Sequence, residues 1–179
     1  RQAAALERSL KRYVAWCIRV SCKLEQPERS WRTAVARLRS APLRLDGRPL
    51  YVGHLVSAAY ASLGSGEYGY PELTAVLRGV LAGEGARLAE AADALGTPEE
   101  TGALYAISCA DTRERPSSAA VLALSRALAK TQPLVGWGLA SGCPPSWPLP
   151  ADPMPVVDGS GSPPIVVVGT TGDPATPYV

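Results

Sequence analysis

One acidic residue near the end of the sequence stands where a reactive carboxylate is expected. Asp173 lies four residues beyond Gly169, which itself follows the β-branched run from Ile165 to Val168. In an open α/β sheet, ligands and catalytic groups gather in the crevice beyond the carboxyl ends of the strands. Thr176, three residues later, offers a hydroxyl group or a helix cap. The same pattern also fits a simpler interpretation, in which Asp173 only caps a loop that leads from a strand to a helix.

The run at 165–168, which precedes Asp173, is predicted to be a strand that needs neighbouring strands. It is apolar on both faces, which predicts a buried parallel strand, because an exposed antiparallel strand would alternate polar and apolar residues. One strand cannot make a sheet, and an orphan strand of this composition would expose unpaired backbone. The sequence therefore predicts that something outside these 179 residues covers the run.

The first hundred residues have helical periodicity. Apolar residues recur at steps of three and four in an amphipathic pattern over 6–17, with Arg8, Lys11 and Arg12 among the residues of its wet face. Further helical patterns run from Pro27 to Leu38, from 52 to 59, and from Pro71 to 95 with an interruption at 83–85. The pair at 46–47 (Asp-Gly) predicts a turn between short extended pieces, and the glycine-rich segment 64–69 predicts a flexible loop.

The pattern changes after residue 96. The segment 101–111 (TGALYAISCAD) is mostly small and apolar without a helical period, which predicts a buried extended segment. Residues 117–129 are again helical, with Ser117 or Ser118 able to cap them. Residues 136–164 are rich in Pro, Gly and Ser, and predict a long irregular connection.

Length and charge exclude several classes of protein. A chain of 179 residues and 18.7 kDa is one domain, or one domain and a piece of a second. Eighteen Lys and Arg residues against sixteen Asp and Glu residues give a net charge of +2, too weak a field to predict nucleic acid or an anionic membrane as a partner. No apolar run approaches the ~20 residues of a membrane-spanning helix. Arg1 leads directly into a helical pattern, so no targeting segment is expected within the chain.

The four cysteines allow three pairings. Cys17 lies near the end of the first helical pattern and Cys22 just past it, so a bridge between them is feasible only if the helix stops near Val20. The other pair would then be Cys109 with Cys143. This layout favours disulfides and an oxidising compartment. Free buried thiols and a zinc site are the alternatives, although zinc ligands usually come in two close pairs and the second pair here is 34 residues apart.

Four segments together resemble a known family. The run PPIVVVGTTGDPATPY at 163–178 is similar to the C-terminal segment of the tripeptidyl-aminopeptidase-like branch of the α/β-hydrolases, the secreted serine exopeptidases of actinobacteria. AISCAD at 106–111 resembles the A-I-x-C-x-D stretch of that family. Cys143 with Trp147 and Pro148 resembles its C-x-x-W-P, with one extra residue here, and WCIRVSC at 16–22 resembles the paired cysteines early in its helical lid.

The resemblance implies a partial α/β-hydrolase fold in three parts. Residues 1–100 would form a helical lid, and residues 101–163 would return to the catalytic core through a helix and a Pro/Gly-rich loop. Residues 164–179 would supply a core parallel strand and the loop of the catalytic acid, Asp173. The triad of this fold follows the chain order Ser, Asp, His. The disulfides would then staple the base of the lid to the catalytic domain.

Two of the three triad residues have no counterpart here. No G-x-S-x-G motif occurs, since Asp158 stands two residues before Ser160 and Leu63 two before Ser65. The only histidine is His54, in a helical pattern of the lid, where we expect a structural or surface role. The resemblance therefore implies a partner for this chain, the remainder of the hydrolase sheet, which carries the nucleophilic serine and the general-base histidine.

The implied activity is the release of short peptides from free N-termini, with no metal and no other cofactor. Recognition of the substrate's ammonium group needs carboxylates or carbonyls, and Glu67, Glu72 and Asp111 are the candidate residues, with Thr176 as a further substrate contact. The implied location is secreted or associated with the cell envelope. Two alternatives stay open: an esterase or other acyl hydrolase of the same fold, and a helical binding or interaction domain without catalysis.

Overall fold

The computed structural model describes residues 1–96, 98–152 and 158–177, with the backbone alone for 98 and 99. Part of the predicted 136–164 connection and Tyr178 of the C-terminal motif lie outside the described residues. The chain is mostly helical. Its helices are α1 (Gln2–Val20), α2 (Pro27–Ser40), α3 (Val52–Gly64), α4 (Tyr70–Ala82), α5 (Ala86–Asp93), α6 (Pro98–Ala110) and α7 (Ser118–Thr131), with 3-10 turns at Gly66–Gly69 and Gly136–Gly138 and two strands, β1 (Leu43–Leu45) and β2 (Arg48–Leu50).

The helices of the first half follow the predicted signals. Pro27 begins α2 at a position where its missing N–H is not needed. β1 and β2 form an antiparallel hairpin. Its turn residues Asp46 and Gly47 both have positive φ, 49° and 82°, as a two-residue hairpin turn of the I′ type requires. Ser117 caps α7, because its side chain accepts a hydrogen bond from the backbone N–H of Ala120.

The hydrophobic core lies among α1 to α5. The apolar stripes of these helices meet in one cluster, whose largest fully buried side chains include Trp31, Tyr13 and Leu6. The later helices contribute little to it. None of the residues of α7 is buried, and α6 leaves Leu104 and Ile107 about two-thirds exposed, at 65% and 64%.

A buried carboxylate connects the core to the chain after α7. Glu7 of α1 is only 3% exposed, and its carboxylate accepts the backbone N–H groups of Leu134 at 3.0 Å and Val135 at 3.1 Å. The indole N–H groups of Trp31 and Trp137 both donate to the carbonyl of Leu134 at 2.9 Å. The turn at 134–135 is therefore fixed against α1 and α2.

The prediction of an extended segment at 101–111 is wrong, because this stretch forms most of α6. Its alanines and leucine are strong helix formers. The periodicity is absent because the helix buries almost none of its surface: of its side chains that the structure describes, only Cys109 is buried. A helix without a buried stripe has no reason to show an apolar period.

The predicted strand at 165–168 does not form in this chain. The segment pairs with no strand of the described residues, and its four side chains are between 71% and 91% exposed. A strand exists only through its hydrogen-bonded neighbour, and the hairpin at 43–50 is the only sheet in the described part of the chain. The glycine-rich segment 64–69, predicted as a flexible loop, contains a 3-10 turn.

Both predicted cysteine pairs lie at disulfide distance. α1 ends at Val20, and Ser21 then turns the chain with a left-handed φ of 55°, so that the N–H of Cys22 reaches the carbonyl of Cys17 at 3.0 Å. The Cα atoms of Cys17 and Cys22 are 4.7 Å apart, and those of Cys109 and Cys143 are 5.6 Å apart. Such bonds are typical of proteins from oxidising compartments.

The two disulfides should contribute unequally to stability. Cys109–Cys143 closes a loop of 34 residues and Cys17–Cys22 closes one of five. Since a longer loop loses more entropy in the unfolded chain, replacing the first pair by serines should lower the free energy of unfolding by about 2 kcal/mol more than replacing the second. Urea denaturation of the two double variants measures this difference, and equal losses would contradict it.

Candidate functional site

The carboxylate of Asp173 is held by its own turn. Its Oδ1 accepts the backbone N–H groups of Ala175 at 2.7 Å and Thr176 at 3.2 Å, and its Oδ2 accepts the hydroxyl of Thr176 at 2.6 Å. Pro174 between them is buried. Thr176 thus lies next to Asp173, as their order in the sequence suggested. Its hydroxyl binds the carboxylate.

These bonds define what the group can do chemically. Donation by the hydroxyl of Thr176, then by the N–H of Ala175 and that of Thr176, lowers the pKa of Asp173 below its ordinary value, so the group is ionised at neutral pH. A carboxylate offers about four acceptor positions. Three are in use, which leaves one on Oδ2 for an outside donor such as an imidazole N–H.

The turn is docked on the helical core. The carbonyl of Gly172 accepts the guanidinium of Arg12 at 2.7 Å and the hydroxyl of Ser9 at 3.2 Å, and the carbonyl of Ala175 accepts the side-chain amide of Gln2 at 2.8 Å. Tyr60 of α3 also lies close by. The pKa of the Tyr60 phenol is raised, first by burial and second by the negative charge of Asp173.

The three acids predicted to meet an ammonium group make no hydrogen bond to the turn of Asp173, as far as the structure describes the chain. Glu67 is exposed and forms an ion pair with Arg19 at 3.0 Å. Asp111 is exposed just beyond α6. Glu72 lies in the first turn of α4, where its Oε1 atom is buried and has no hydrogen-bond partner among the described residues.

His54 has the structural role that the sequence predicted. It lies in the first turn of α3, where its Nδ1 accepts the backbone N–H of Tyr51 at 3.0 Å, and its ring stacks on the ring of Tyr51. The ring therefore satisfies a donor at the start of a helix. It makes no contact with Asp173, so the described residues do not bring the acid to a histidine.

Two segments that carry the family resemblance meet around Arg115. Its guanidinium donates to the carbonyl of Cys109 at 2.8 Å, in the AISCAD segment, and to those of Trp147 at 3.1 Å and Pro148 at 2.6 Å. The Cys109–Cys143 pair joins the same two segments. No feature of the sequence indicates this role, because an arginine that binds only carbonyls has no partner of opposite charge to suggest it.

A pocket of 410 Å³ lies beside α6. Leu104, Tyr105 and Ser108 of α6 line it together with the Cys109–Cys143 pair. Gln2 lines it as well and connects it to the loop that carries Asp173, through its bond to Ala175. Gln2 is thus a residue that both lines this pocket and binds the loop of Asp173.

Within 1–96, 98–152 and 158–177, no three His, Cys, Asp or Glu residues are grouped so as to hold a metal ion. Over the same residues, none of the helices combines the length and the apolar character needed to cross a membrane.

Comparisons with known proteins return no relative. No protein-family model matches the chain, and neither a curated protein nor a solved structure matches it. The function proposed below therefore rests on the residues and their geometry.

Proposed function

We propose that this chain is the helical lid and the acid-bearing segment of a secreted serine hydrolase with the α/β-hydrolase fold. The main support is the state of the Asp173 carboxylate. It is ionised, three hydrogen bonds hold it, and one acceptor position is left on Oδ2. In this fold the acid follows a strand of the sheet, and here it follows an aliphatic run.

Asp173 would act on a histidine carried by the remainder of the hydrolase. Its free Oδ2 position would accept the imidazole Nδ1–H, which holds the ring in the tautomer that can take a proton from serine. The negative charge would also stabilise the imidazolium that forms. The acid must stay ionised for both tasks, and its lowered pKa satisfies that condition.

The remainder of the hydrolase would cover surface that is apolar here. The segment 165–168 exposes four β-branched side chains and its unpaired backbone, and α6 exposes Leu104 and Ile107. Parallel strands are buried on both faces, so a run of this composition fits between two neighbouring strands of a sheet. Pairing of 165–168 in such a sheet would bury its four exposed apolar side chains, and this supports the proposal.

The proposed substrate class is peptides with a free N-terminus. Of the three candidate acids, Glu72 suits an ammonium group best, because its buried Oε1 has no hydrogen-bond partner in the described part of the chain while Glu67 is already paired with Arg19. A buried acceptor without a donor is unfavourable, and a substrate ammonium would satisfy it.

A non-catalytic helical binding domain is the second candidate. It is favoured by one observation: all three hydrogen bonds of Asp173 are made within its own turn. In that case Asp173 would serve only as the cap of the turn.

Hydrolysis by the intact protein tests these functions. A tripeptide p-nitroanilide with a free N-terminus, the same peptide N-acetylated, and a p-nitrophenyl ester form a matched set. We expect the free peptide to be cleaved about a hundredfold faster than the acetylated one, because a site built for a polar group rejects an analogue that lacks it. Cleavage of the ester alone would identify an esterase. No hydrolysis of any substrate would favour the binding domain.

A further inference from the structure

Helix α1 holds the loop of Asp173 at two points on either side of the acid. Arg12 and Ser9 bind the carbonyl of the residue before it, Gly172, and Gln2 binds the carbonyl of Ala175, two residues after it. Gln2 and Ser9 are seven residues apart, which places them on nearly the same face of a helix, and Arg12 is one turn further. The loop therefore runs along one face of α1.

The contact at Arg12 is close and built from several groups. Its guanidinium donates both to the carbonyl of Gly172 at 2.7 Å and to the hydroxyl of Ser9 at 2.8 Å, and Ser9 is buried. Gly172 has a positive φ of 87°, and a Cβ atom there would lie 2.8 Å from the guanidinium. Another residue would be strained at this φ, and its Cβ atom would require the guanidinium to shift.

From this geometry we propose that α1 positions the catalytic acid, with Arg12 as the principal positioning residue and Gln2 as the second. The inference rests on the proposed function of Asp173. The core-facing side of α1 packs in the lid, through Leu6, Leu10 and Tyr13. The same rigid helix thus carries the lid and fixes the backbone on both sides of the carboxylate, so a displacement of the lid changes the position of the acid.

Substitutions of Arg12 in the intact protein test this role. Arg12→Met keeps much of the side-chain length and removes the donors, while Arg12→Lys keeps one cationic donor. Arg8→Met is the matched control, because Arg8 is exposed on the same helix and its side chain forms no hydrogen bond or ion pair with the described residues. The first readout is the ¹⁵N order parameters of Asp173, Ala175 and Thr176, with the thermal midpoint followed alongside.

In Arg12→Met we expect these order parameters to fall from about 0.85, the value of a rigid backbone, toward about 0.6. Arg12→Lys should recover part of this loss, and Arg8→Met should show no change. Turnover should fall by roughly tenfold to a hundredfold with KM nearly unchanged, because small misplacements of a catalytic group have effects of that size.

The outcomes separate this inference from the proposed function. Order parameters equal to those of the parent protein would show that α1 does not hold the loop, whatever the protein hydrolyses. A released loop with unchanged turnover would overturn the positioning role. A parent protein that hydrolyses nothing would end the proposed function and with it the catalytic role of Arg12, while the order parameters would still decide whether α1 holds the loop.

Discussion

Asp173→Asn is expected to lower the turnover of the proposed hydrolase at least about a hundredfold while the helical fold is retained. The asparagine Oδ1 can still accept the N–H groups of Ala175 and Thr176, and the hydroxyl of Thr176 can turn to accept from the new amide. The position now free on Oδ2 would, however, become an N–H donor. It would face the imidazole N–H, which is also a donor, and the required tautomer would be lost.

Asp158→Asn is the matched control for this prediction. Asp158 is exposed and its carboxylate accepts the N–H of Ser160 at 2.8 Å in a similar local turn, so the substitution makes the same chemical change away from the proposed site. We expect steady-state turnover within about twofold of the parent, since surface substitutions outside special features have small effects. Near-parental turnover of Asp173→Asn would remove Asp173 from the mechanism and leave it as a turn cap.

Glu7→Ala is expected to lower the free energy of unfolding by about 4 kcal/mol, measured by urea denaturation. The substitution removes the acceptor of two backbone N–H groups, those of Leu134 and Val135, at a position shielded from bulk solvent. Each buried donor left without a partner costs about 1–3 kcal/mol. A loss of this size is a large fraction of the stability of an ordinary domain.

Two variants separate the hydrogen bonds of Glu7 from its charge. Glu7→Gln keeps an oxygen that can accept both N–H groups, and we expect a loss of only about 1 kcal/mol. Lys11→Met removes the neighbouring cation, whose Nζ is 3.7 Å from the carboxylate and whose side chain is 60% exposed, and such partly exposed pairs contribute about 0–1 kcal/mol. If Lys11→Met destabilised the protein as much as Glu7→Ala, the ion pair would be the dominant interaction.

Glu7 and Arg12 link α1 to two different segments that lie far away in the chain. Glu7 fixes the turn at 134–135 to the beginning of α1, and Arg12, on the same helix, fixes the loop of Asp173. α1 is therefore the element that connects the helical core to both later segments. Loss of the first link should appear in stability, and loss of the second in the geometry and the chemistry of the acid.

The local elements of the first half were predictable because their signals are local. Pro27 begins a helix, and Asp46 and Gly47 form the turn between β1 and β2, since both residue types adopt positive φ with little strain. The bond between Cys17 and Cys22 depended only on where α1 ends. α6 was missed for a matching reason: periodicity reports a buried face, and a helix with almost no buried face gives no period.

The acid turn was predicted only in part. The order Asp173, Pro174, Thr176 indicated both a reactive carboxylate and a cap, and the capping bonds are present in the structure. Arg12 was assigned to the wet face of its helix, as its position in the period suggests. No property of residue 12 points to a carbonyl 160 residues later.

The sequence by itself determined the helical first half, the turn of its hairpin, the bond between Cys17 and Cys22 and the position of a carboxylate in a tight turn, because each depends on neighbours within a few residues. Only the tertiary structure decided that Glu7 is buried under the turn at 134–135, that Arg12 and Gln2 hold the loop of Asp173, and that 165–168 pairs with no strand of the described residues. Those features depend on which backbone carbonyls and N–H groups meet across the fold, and since every residue carries the same backbone groups, the side-chain pattern does not record their partners.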